Sequence, residues 1–212
     1  VNIGANNLIL STGGDFEGRI TGDDASVAST GDLILRGSAQ IGALIVSADT
    51  TTLTGSLDSS LTAVLSNGTL TLGSAERIAD SSNLDVSGIL NTNGEETVNS
   101  LTATGTINGE GTVSALNTDL DGATVNASLG GGNLNTAGDT TLNGNADADS
   151  VTVGNGTLTV NGALTNNTAA VTIENGTLAA NGTIAASSID VQGGANLTSG
   201  EAERLNDGVA LN

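Results

Sequence analysis

Short apolar runs with a period of two, each closed by a small polar corner, fill the stretch from Asn67 to Ile107. Thr69–Leu72, Leu84–Val86 and Val98–Leu101 are three such runs, with Asn-Gly or Ser-Gly punctuating between them. Alternate residues of a strand face opposite sides. Leu70 and Leu72, or Leu84 and Val86, thus face one way while Thr71 and Asp85 face the other. The pattern returns nearer the C-terminus. Leu158 and Val160 precede Asn161-Gly162, followed by Leu164, Val171 and Ile173. About twenty residues on, Leu178 precedes Asn181-Gly182, followed by Ile184, Ile189 and Val191. Self-similarity at this period marks stacked coils, each too small to bury its own apolar face. The expected fold is all-β, a parallel β-solenoid of about 16–21 residues per coil. Roughly eleven coils at about 4.8 Å would make a rod of about 50 Å.

Residues 1–65 are less regular and are expected to be drifted coils of the same kind, continuous with the regular coils of residues 66–212. Leu8-Ile9-Leu10, Leu33-Ile34-Leu35 and Leu44-Ile45-Val46 are unbroken apolar triplets, which suggests strands buried more fully than simple alternation would require. Gly13-Gly14-Asp15 and Thr21-Gly22-Asp23-Asp24 have turn composition. Gly37–Ile41 echoes Gly73–Ile78, as if both belonged to one coil type. The recurrent Asn-Gly pairs, from Asn67 to Asn181, are suited to sharp corners because both residues tolerate positive φ.

A longer repeat overlies the short one. Gly73–Asp80 returns as Gly200–Asp207, 127 residues later (from position 73 to 200), and Leu84 maps onto Leu211 at the same offset. The Ala-Glu-Arg stretch in each copy is expected to be a one-turn helix or a loop crossing between coils. Arg77 and Arg204 are expected to pair locally with Glu76, Glu203, Asp80 or Asp207.

Composition sharpens this picture. Among the 212 residues are 31 Gly, one Phe (Phe16), and no Cys, His, Met, Pro, Trp or Tyr. An irregular globular core would call on aromatics, whereas stacked Leu, Val and Ile can fill a narrow, regular interior. Abundant Gly and β-branched residues exclude a helical fold. The formal charge is −19, and the four cations are Arg19, Arg36, Arg77 and Arg204. Nucleic acid and anionic membrane are therefore poor partners, since little could neutralise phosphate. Scattered acids serve solubility and self-repulsion. The absence of cysteine fits passage through a bacterial envelope. No signal peptide and no run long enough to span a bilayer is present. The chain is expected to be a segment of a longer secreted protein.

Candidate chemistry is sparse. The carboxylate pairs Asp119/Asp121 and Asp147/Asp149 are conceivable glycosidase dyads, yet they fall in expected turns, without aromatic platforms or a His or Lys partner. With Asp23-Asp24 they could offer oxygen ligands to calcium, but none matches a known calcium loop. Sequons at Asn126, Asn166 and Asn196 carry little information. No catalytic residue, metal ligand or cofactor is expected. Rows of Asn, Thr and Asp could bind an extended glycan, and Thr69-x-Thr71, Thr102-x-Thr104 and Thr157-x-Thr159 raise ice binding as a further reading.

The order of motifs through Asn67–Ile107 is similar to the autotransporter-associated β-strand repeat. The matching positions are Gly68–Leu72, the Ala-rich stretch Ala75–Asp80, Leu84–Gly88, Asn93-Gly94 and Thr97–Ile107. The resemblance implies a right-handed parallel β-helix from the passenger of a Gram-negative type V secreted protein, either an autotransporter or a two-partner-secreted filamentous adhesin. It transfers no binding residue, because the motif is scaffold. The function it implies is a rigid stalk in cell attachment, aggregation or biofilm matrix. Such a stalk would be a monomeric rod on the cell surface or in the extracellular matrix, with exopolysaccharide or other surface structures as partners.

Overall fold

The computed structural model describes residues Val1–Asn212. Its strands join in one 23-stranded parallel sheet wound as a β-solenoid of about eleven coils, with no helix. Three rows of inward side chains run the length of the solenoid. The first climbs from Leu8 through Val27, Leu44, Thr62, Leu84, Leu101, Thr118, Leu134, Val151, Val171 and Ile189 to Leu211. The second includes Leu70, Leu90, Ile107, Val125, Leu142, Val160 and Ala180. The third runs Ile20, Ala39, Leu57, Ile78, then Glu96, Val113, Leu129, Ala146, Leu164, Ile184 and Leu205. Most of their apolar members belong to one core of 44 buried hydrophobic residues, which runs through both halves, so the irregular and regular parts share a single interior. The strand Ser56–Leu72 itself crosses from one half to the other. Burying each Leu or Val of such a row contributes about 1.5–3 kcal/mol.

The register expected for the C-terminal coils is the one observed. Leu158 pairs with Leu178, Leu164 with Ile184, Val171 with Ile189 and Ile173 with Val191. Coil length is wider than expected. It ranges from 16 residues, Asn117 to Asn133, to 22 residues, Thr62 to Leu84. The coil from Ile189 to Leu211 is equally long, and both long coils contain an Ala-Glu-Arg loop.

Four sequence expectations are corrected. The apolar triplets exceed simple alternation only in part. Leu33 and Leu35 are buried while Ile34 is half-buried, Leu44–Val46 repeats this, and Ile9 is 66% exposed. Strand parity turns the middle residue outward whatever its chemistry. Second, Asp15 and Thr21–Asp24 are not turns but lie in the strands Gly14–Phe16 and Arg19–Ser29, the latter with a register shift between Gly22 and Ser26. Third, Gly37–Ile41 and Gly73–Ile78 are not one coil type. Ser38–Ile41 is strand, and it is Ala39, not Ile41, that stands in the row of Leu57 and Ile78. Fourth, positive φ explains few of the Asn-Gly corners. Gly109 (φ 125°) and Gly156 (φ 72°) need it. Gly182 is required for another reason, because a Cβ there would lie 1.6 Å from the Gly162 carbonyl oxygen of the coil beneath.

Negative charge is spread with the same regularity. In the strand registers no carboxylate stands on another. Asp85, Thr102, Asp119, Asn135, Thr152, Thr172 and Asp190 form one outward row in which acids are separated by hydroxyls and an amide.

The long repeat gives a natural substitution experiment. Ser59, Thr62 and Ser82 form a buried hydroxyl cluster, with Ser59 Oγ 3.1 Å from Thr62 Oγ1 and 3.0 Å from Ser82 Oγ. At the same offset the second copy has Ala186, Ile189 and Val209. Removing one partner of a buried network strands the others, whereas replacing all of them is close to neutral. Ser82→Val alone should therefore lower stability by about 1–3 kcal/mol. The triple change Ser59→Ala, Thr62→Ile, Ser82→Val should recover most of that loss in urea unfolding. Gly182→Ala should cost about 1–3 kcal/mol by overpacking, visible as a lower thermal midpoint.

Candidate functional site

The most ordered surface feature is a ladder of asparagine amides. Asn91 Nδ2 donates to Thr71 Oγ1 (3.2 Å), and Asn108 Nδ2 to Asn91 Oδ1 (3.3 Å). Asn126, Asn143 and Asn161 each donate to the asparagine below at 2.7 Å, and Asn181 donates to Asn161 at 3.0 Å. The ladder exists because each Asn directly follows an inward residue of the second row, Leu90 to Ala180, and so faces outward at the corner. Two residues earlier a parallel rank stands beside it: Thr50, Thr69, Ile89, Thr106, Thr124, Thr141, Thr159 and Ala179. Thr69 and Thr71 thus share one face, as expected of a Thr-x-Thr pair, and Thr159 joins the rank. Thr102 belongs to the row of Asp85 and Asp119 on another face, and Ile89 and Ala179 interrupt the threonines. A shorter ladder links Asn83, Ser100, Asn117, Asn133 and Ser150, with Asn133 Nδ2 donating to Asn117 Oδ1 at 3.0 Å.

The candidate carboxylates are not in turns. Asp119 and Asp121 lie in the strand Thr112–Asp121, and Asp147 and Asp149 in Ala146–Val153; all four are exposed. Each pair points outward from a single strand. Asp119 Oδ1 accepts from Asn135 Nδ2 (2.8 Å), and Asp149 Oδ1 from Asn166 Nδ2 (3.4 Å), so both are held by the coil above. Asp23 faces a shallow depression of about 330 Å³ beside Gln40, Asp58 and Asn83. No three acids approach closely enough to hold a metal ion. No helix is long and apolar enough to cross a membrane.

Arg77 and Arg204 depart from the expected pairings. The Arg77 guanidinium donates to carbonyl oxygens, from Nε to Ala75 (2.9 Å) and from Nη1 to Thr54 (3.1 Å). Arg204 Nη2 pairs with Glu201 at 2.8 Å. Glu76 takes a left-handed backbone (φ 51°), and its carboxylate receives Thr97 Oγ1 instead. The Ala-Glu-Arg stretch is a loop, not a helical turn.

That loop rests under a residue the sequence reading passed over. Glu96 occupies an inward place in the third row, between Ile78 and Val113, and is 1% exposed. Its Oε2 accepts from the Arg77 N–H (2.9 Å) and its Oε1 from the Ile78 N–H (2.6 Å). The loop leaves the strand ladder there, and a carboxylate supplies the two acceptors a neighbouring strand would have given. The legible signal was parity, since Glu96 stands two residues before inward Val98. Burial raises the Glu96 pKa to about 6 from 4.5, against the two backbone hydrogen bonds and the Arg77 charge, which lower it; Glu76 adds a smaller upward push.

No family model, no curated protein and no solved structure matches the chain.

Between 4.5 and 6 the folded protein holds the Glu96 proton and the unfolded chain does not, so stability contributed by Glu96 is full below 4.5 and is lost as pH rises through 6. Measured against Glu96→Gln in paired urea titrations, the wild type should gain relative stability on going from pH 7 to pH 4.5. At pH 7 the variant should lose about 1–3 kcal/mol, because its amide nitrogen confronts an N–H donor.

Proposed function

We propose that this chain is a structural rod segment of a secreted bacterial fibrillar adhesin, serving as a stalk in attachment, aggregation or biofilm matrix. The observation that carries this reading is the unbroken parallel ladder from Leu8 to Leu211. Such a ladder resists bending and extension through many hydrogen bonds between nearest-neighbour coils. The likeness of Asn67–Ile107 to the autotransporter-associated β-strand repeat supports a type V passenger, and with it an extracellular or cell-surface location. The charge of −19 supports a rod that stays soluble and unbundled.

A second reading draws on the paired Thr and Asn ranks, a regular polar face suited to an extended polysaccharide. The asparagine amides already bond to one another, so this binding would be weak and distributed along the rod.

The two readings separate in the parent adhesin. Exchanging residues 1–212 for an unrelated solenoid of equal length should leave adhesion within about twofold if the segment is a spacer. Loss of adhesion despite matched length would sink the stalk reading in favour of a ligand on this segment. Small-angle scattering of the isolated segment should show an elongated particle of about 50 Å, unchanged by calcium.

A further inference from the structure

The Asn-Gly corners fall into two classes. At Asn143, Asn161 and Asn181 the side chain and the next residue are both tied down. Each amide Nδ2 donates to the asparagine beneath, at 2.7 or 3.0 Å. The N–H groups of Gly144, Gly162 and Gly182 donate to the carbonyls of Val125, Leu142 and Val160. At Asn93, Asn155 and Asn175 neither restraint is present. All three residues are exposed, their side chains make no hydrogen bond, and the N–H groups of Gly94, Gly156 and Gly176 meet no acceptor in the protein. The three differ among themselves in one respect. Asn175 is held by its own N–H, which donates to the Gly154 carbonyl (3.0 Å), whereas the N–H groups of Asn93 and Asn155 are free as well.

We propose that Asn93, Asn155 and Asn175 are sites of spontaneous deamidation, and that the asparagine ladder shields Asn143, Asn161 and Asn181 from the same reaction. The glycine nitrogen gives up its proton to hydroxide and attacks the asparagine Cγ, closing a five-membered succinimide. The Cγ–Nδ2 bond breaks, and the nitrogen leaves as ammonia after taking a proton from water. Water then opens the ring at either carbonyl, leaving aspartate or isoaspartate. The net change is amide plus water to carboxylate plus ammonium, with no redox step. Glycine suits this attack because no Cβ hinders its nitrogen, and the ring closes within one chain segment, without an encounter step. A glycine N–H that donates to a carbonyl must first break that bond, and a pinned amide must first rotate out of the ladder. Both need a local opening. The consequences differ too. Aspartate in the ladder could accept from the coil above but could not donate to the coil below. Isoaspartate there would add a backbone atom directly after the paired second row.

The test ages the intact chain in mildly alkaline buffer, folded and in urea, and follows each corner by peptide mapping with fragmentation that separates isoaspartate from aspartate. In urea the six corners should react at comparable rates. In the folded protein Asn93 and Asn155 should react at least about tenfold faster than Asn143, Asn161 and Asn181, with Asn175 between. Asn143→Ala removes the acceptor beneath Asn161. It should speed the reaction of Asn161 by about fivefold, the worth of one hydrogen bond, and leave Asn155 unchanged. Equal rates at all six corners of the folded protein, Asn93 and Asn155 as slow as Asn161, or no response of Asn161 to Asn143→Ala would overturn the proposal.

Discussion

Every other feature of this molecule depends on vertical register: each coil must lay its backbone hydrogen-bonding groups over those of the coil beneath. At about 4.8 Å between coils, a position's environment is decided chiefly by its counterparts directly above and below. This explains the composition. Leu, Val and Ile stack on one another in three rows, and no aromatic is needed because no irregular gap opens between them. Phe16 sits in the lower coils, partly buried against the core, where stacking is less regular. It also explains the glycines. A side chain at Gly182 would meet the backbone of the coil beneath before it met solvent.

The same register governs polar groups. Asparagines stacked in one row satisfy one another, and acids in one row are kept apart by a hydroxyl or an amide. A chain with a formal charge of −19 thereby avoids placing like charges at the closest available distance. Where register breaks, at the Ala-Glu-Arg loop, the cost falls on backbone N–H groups. The remedy is a side chain in place of a strand. Glu96 is therefore a structural acid whose position in the core follows from a defect in the ladder below it.

Much of this was legible in the sequence because solenoid rows are local rules repeated. The pairing of Leu158 with Leu178 and Val171 with Ile189 can be read from spacing alone. What spacing could not show was the role that a neighbour a full coil away gives to a single polar residue or glycine. Asp119 and Asp147 have turn composition yet lie on strands, because the coils above and below supply pairing partners. Asn-Gly looks like a conformational signal, but at Gly182 it is a steric one. Glu96 looks like a solvated acid until the loop of the previous coil is placed under it. Local chemistry predicted elements well and predicted the roles of single residues poorly.

The long repeat returns the chain to the same angular position: Leu57 and Ile184 occupy one row, as do Ile78 and Leu205. A duplication in the gene that starts and stops at such equivalent points adds whole turns and leaves every existing row in phase. Ser59, Thr62 and Ser82 stand where the second copy has Ala186, Ile189 and Val209, so two points equivalent in register can carry cores of different chemistry. Length is then a trait that recombination can adjust in discrete increments without passing through an unfolded intermediate. A gene encoding this fold can gain or lose whole coils as readily as it duplicates a stretch of DNA.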